Sequence, residues 1–97
     1  AAELARLRDS ASAAGARVVV AFLPLGRAED GPDLARLRAE CAALGVPVID
    51  TTPSLQAAAA EGPVYWPKDG HCTPRGYHAI ARALHEGLLR TPGILAP

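Results

Sequence analysis

Net charge is missing from this chain. Ten basic and ten acidic side chains cancel across 97 residues, which excludes the electrostatic footprint of a nucleic-acid binder and a polybasic membrane patch. Long apolar runs are missing as well. None approaches the roughly 20 residues that a membrane-spanning helix needs, and the amino terminus lacks the charged-then-apolar order of a signal peptide. Aromatic residues are scarce, with one Trp, two Tyr and one Phe, so a core must be built thinly, much of it from alanine. The two cysteines, Cys41 and Cys72, form neither a disulfide framework nor a metal-ligand spacing. Cys41 falls on the apolar face of a predicted helix and reads as a small core residue. A Cys41–Cys72 pair stays open as an alternative in an oxidising compartment.

What is present suits one small globular domain. Hydrophobic residues make up 49% of the chain, too many for disorder. The chain opens at Ala1 directly in a helical pattern, and we expect it to be a piece of a longer protein. Leu4, Leu7, Ala11 and Ala14 recur at helical spacing, which predicts a helix over residues 2–14. Arg17 to Leu23 is a nearly continuous β-branched and apolar run, expected as a strand covered on both faces in a parallel sheet and closed by Pro24. A polar loop at 25–32 leads to a helix over 33–44, capped by Asp33 or by Asp30. Residues 46–50 read as a second parallel strand, 53–60 as a short helix, 61–72 as a loop, and 74–90 as a last helix with Tyr77, Ile80, Ala81, Leu84 and Leu88 turned inward. Helices alternating with strands predict an α/β fold. Two strands leave open sheet edges, which further strands of the parent or self-association would cover.

The chemistry concentrates between Tyr65 and Leu84. Asp69 and His71 sit two residues apart on the loop, with Thr73 as expected N-cap and Pro74 opening the last helix. If the loop turns at Gly70, the carboxylate reaches the imidazole, and an Asp–His pair supplies two members of a hydrolytic triad. The same residues also suit ordinary turn chemistry. Ser10, Ser12 and Ser54 are the serines of the chain, and none stands in a nucleophile-turn context. Cys72 follows His71, but adjacent side chains point apart, so packing beneath the loop is the better reading. His78 and His85 are about two helical turns apart, too far to share a metal ion. Tyr65 and Trp66 either line a sugar subsite or cover the sheet edge.

The segment Trp66-Pro67-Lys68-Asp69-Gly70-His71-Cys72-Thr73-Pro74-Arg75-Gly76-Tyr77-His78 resembles the closing block of the SGNH (GDSL-type) hydrolase superfamily. It is most similar to members related to alginate and other polysaccharide O-acetyltransferases, whose blocks read Asp-x-His-Trp-Thr-Pro-x-Gly-His before an alanine-rich helix. Cys72 stands where an aromatic is usual and Tyr77 where a histidine is usual. The resemblance implies the carboxy-terminal part of a flavodoxin-like three-layer α/β/α fold. It implies His71 as catalytic base and Asp69 as its orienting carboxylate, a serine acyl-enzyme, no metal or organic cofactor, and an extracytoplasmic location, periplasmic or at the cell surface. The family's serine lies in an early Gly-Asp-Ser block, and an asparagine helps form its oxyanion hole; this chain has neither the block nor any asparagine. The expected parent is a serine esterase or O-acyltransferase acting on acetylated carbohydrate, with Tyr65 and Trp66 as substrate-binding residues and this chain inactive by itself. The alternative is a non-catalytic α/β carbohydrate-binding or assembly module.

Overall fold

The computed structural model describes residues 2–26 and 30–95. The order is α1 (Ala2–Ala13), β1 (Val20–Phe22), α2 (Asp30–Leu44), β2 (Val48–Asp50), α3 (Thr52–Ala59) and α4 (Pro74–Arg90). The fold is mixed α/β, as expected. β1 and β2 pair in parallel, Val20 with Val48, Ala21 with Ile49 and Phe22 with Asp50.

Both strands are shorter than expected, and Pro47 supplies a reason. It has no N–H for a ladder, so pairing starts at its carbonyl, which accepts from Val20 N at 2.9 Å. The expected cover on both faces of the first strand is not found. Val18 and Val19 are half-buried, but Ala21 between the paired residues is exposed. α2 begins three residues ahead of the expected 33, at Asp30; Pro32 falls in its first turn, where a missing N–H costs nothing. Of the loop expected at 25–32, residues 27–29 lie outside the described residues.

The core gathers around α3 and α4. Leu55, Val64, Ala79 and Ile80 form a buried cluster, with Ala58, Tyr65, Cys72 and Leu84 packed against it. Cys41 is buried and free, and burial pushes its thiol above the usual cysteine pKa. Ser54 Oγ crosses from α3 to donate to the Ala79 carbonyl at 2.8 Å. The inward face of α4 is as expected at Ile80, Leu84 and Leu88 and differs at Tyr77 and Ala81. Tyr77 is 58% exposed and Ala81 also faces out, while Gly76, Ala79 and Ile80 are buried. Glycines sit where α4 comes close to backbone and strand. A Cβ on Gly76 would lie 2.2 Å from the Val64 carbonyl oxygen, and one on Gly87 would lie 2.8 Å from Ile49. Close approach, rather than side-chain bulk, sets which face of this helix turns in.

Candidate active-site hairpin

Residues 64–73 fold back on themselves as a short antiparallel hairpin. Tyr65 and Cys72 are bridge partners. Thr73 N donates to Val64 O at 2.9 Å, and Trp66 N donates to His71 O at 2.8 Å. Pro67, Lys68, Asp69 and Gly70 make the tip, closed by Gly70 N donating to Trp66 O at 3.2 Å. Gly70 has φ 73°, the left-handed conformation that glycine adopts without a Cβ penalty. At the base, the Thr73 hydroxyl donates to Pro63 O at 2.7 Å and accepts from Gly76 N at 3.2 Å. One side chain thus caps α4 and fastens the hairpin to it.

The tip brings Asp69 and His71 together. Asp69 Oδ1 accepts from the His71 backbone N–H at 3.0 Å, and Oδ2 lies 3.4 Å from His71 Nδ1. The backbone N–H of His71, and then its side chain, hold the Asp69 carboxyl below its ordinary pKa. With Nδ1 turned to the carboxylate, Nε2 is the nitrogen left free, the arrangement a base needs. The imidazole is 75% exposed. The side-chain contact is long for a hydrogen bond, as such contacts often are before substrate arrives.

The pairing separates the two aromatic candidates. Directly opposed residues of an antiparallel pair project to the same face. Cys72 and Tyr65 oppose each other and both pack against the core cluster. Trp66 and His71 are opposed on the other face, and Trp66 is 51% exposed. The Tyr65 hydroxyl is engaged with the protein itself, donating to Pro24 O at 2.5 Å. Pro24 follows β1, so this contact places the hairpin beside the carboxyl end of that strand, the edge where open α/β sheets bind ligands. Burial raises the Tyr65 pKa, which keeps the phenol a neutral donor at ordinary pH.

The serines stand apart from this pair. Ser10 and Ser12 are exposed on α1, the Ser54 hydroxyl is bonded to Ala79 O, and among the described residues no serine hydroxyl bonds to the imidazole. A family model described as the SGNH hydrolase-like domain of acetyltransferase AlgX matches residues 1–96. The chain belongs to this family. Searches of curated proteins and of solved structures return no match. Membership in an SGNH acetyltransferase family gives the Asp–x–His hairpin a chemical context that turn geometry alone does not. Sequence reasoning brought Asp69 and His71 together on the loop and put Thr73 at the start of α4, as the structure does. It missed the Tyr65–Pro24 contact, which joins residues 41 apart and leaves no local pattern, and it missed Gly76, whose signal is a lone glycine inside a helical stretch.

Proposed function

We propose that this chain carries the acid–base half of a serine O-acyltransferase or esterase that moves an acyl group, acetyl by family, on a carbohydrate hydroxyl. The observation that carries the reading is the Asp69–His71 contact, with Nδ1 toward the carboxylate, in a chain of this family. The nucleophilic serine, in this reading, lies in the same polypeptide outside these 97 residues. His71 Nε2 takes the serine proton as Oγ attacks the acyl carbonyl, and returns it to the departing alcohol as the acyl-enzyme forms. An incoming hydroxyl, from sugar or from water, then gives its proton to Nε2 and attacks the acyl carbon. The serine regains its proton as the product leaves. Asp69 holds the tautomer and stabilises the imidazolium. Trp66, on the same face as His71, offers an aromatic surface against which a sugar ring can stack. No residue here needs a metal or organic cofactor for these steps.

The test is kcat/KM on an acetylated sugar for the polypeptide that joins these residues to the nucleophile. His71→Ala is expected to lose several orders of magnitude, because an unactivated serine is a poor nucleophile. Asp69→Asn is expected to lose up to about 10⁴-fold, the cost of misassigning the tautomer in a serine triad. A folded His71→Ala variant with near-wild-type activity would overturn the assignment in favour of the non-catalytic module.

A further inference from the structure

The hairpin is held at its base and at its flank. The base anchor is Thr73, bonded to Pro63 O and Gly76 N. It fixes where the hairpin leaves α4, alongside the packing of Val64 and Cys72 at the core cluster. The flank anchor is Tyr65, whose ring packs on the core cluster and whose hydroxyl reaches across to Pro24 O at the end of β1. This polar tie to the end of β1 limits how far the hairpin can tilt about its base. Tyr65 opposes Cys72, the immediate neighbour of His71, so any tilt the phenol prevents would carry the imidazole with it.

We propose that Tyr65 is a positioning residue: through its bond to the Pro24 carbonyl it sets the inclination of the Asp69–His71 hairpin over the carboxyl end of β1. This fixes where Nε2 meets the nucleophile. The proposal rests on the reading of His71 as base. It also makes the tyrosine hydroxyl act on the rate rather than on the fold. Misplacement of a catalytic group by about 1 Å can cost on the order of 100-fold in rate, whereas the ring, which supplies the packing, is untouched when only the hydroxyl is removed.

Tyr65→Phe is therefore the informative variant, with Ser54→Ala as control, since that change deletes the Ser54–Ala79 hydrogen bond away from the hairpin. In Tyr65→Phe, kcat is expected to fall about 10- to 100-fold with KM nearly unchanged. The amides of Trp66 and His71 are expected to exchange with solvent faster while those of Leu55 and Ile80 keep their protection. Ser54→Ala is expected to keep both kcat and hairpin protection. The positioning role is overturned by wild-type kcat in Tyr65→Phe, by unchanged exchange at Trp66 and His71, by an equal loss of kcat in Ser54→Ala, or by global unfolding of Tyr65→Phe under conditions where Ser54→Ala stays folded. His71→Ala, assayed alongside, separates the two failures. If it stays active, the proposed function falls; if it is dead while Tyr65→Phe is not impaired, only the positioning role falls.

Discussion

The two ends of this chain are built to different standards. α3, the hairpin and α4 share a buried cluster, a capped helix start and an interhelical hydrogen bond. α1 buries no residue; Leu7 on it is 55% exposed, and Arg8 ties it down by donating to Leu44 O at 3.1 Å. Leu23 and Leu25 beyond β1 are exposed as well. The difference teaches what supports the candidate site. Asp69 and His71 are on the surface, yet the hairpin that presents them grows from the best-packed part of the molecule.

The sharpest way to break that contrast is at Gly76. Its absent Cβ makes room for the Val64 carbonyl oxygen, a backbone atom that a flexible neighbour cannot replace. Gly76→Ala is expected to cost about 3 kcal/mol and to loosen the hairpin from α4, read by urea denaturation and by amide exchange at Thr73. Leu55 and Leu7 compare the two ends directly. Leu55 is 3% exposed and Leu7 is 55% exposed. Leu55→Ala should therefore destabilise by about 2–3 kcal/mol, and Leu7→Ala should stay within about 0.5 kcal/mol. Equal losses in chemical denaturation would show that α1 is packed as firmly as α3.

The smallest effect concerns acid. The Asp69 carboxyl is held below its ordinary value of 3.8 by the His71 backbone N–H and then the His71 side chain. Its contribution to hairpin order is complete above that value and disappears as pH falls through the lowered one. The Asp69 carboxyl-carbon resonance is expected to titrate with its midpoint below that ordinary value. A midpoint above the ordinary value would mean the Asp69 contact is not formed.

Helix identities and the Asp69–His71 contact were legible in the sequence because each depends on neighbours a few residues apart. Leu34, Leu37, Cys41 and Leu44 mark α2 by period, and Asp69-Gly70-His71 marks the tip by turn chemistry. The extent of β1 was not legible. Its apolar run predicts a strand from Arg17, but a strand extends only as far as it has a partner, and Pro47 limits β2. The inward face of α4 was legible at Ile80, Leu84 and Leu88 but not at Tyr77 and Ala81, which face out, because Gly76 and Gly87 come close to Val64 and Ile49 and no side-chain pattern records that approach. The start of α3 shows the same dependence on a neighbour. Thr51 stands at the N-cap position, but its side chain makes no capping bond: its hydroxyl donates to Phe22 O at 2.9 Å, and the Thr52 N–H is met by Asp50 Oδ1 at 2.9 Å.

The central claim is that His71 activates a serine. The most direct measurement is the rate at which a serine-directed fluorophosphonate labels the polypeptide that joins this chain to its nucleophile, wild type against His71→Ala, since this reads nucleophile activation without knowledge of the substrate. Labelling of one serine that slows by several orders of magnitude in the folded His71→Ala protein is the expected result. Labelling at the wild-type rate would contradict the account.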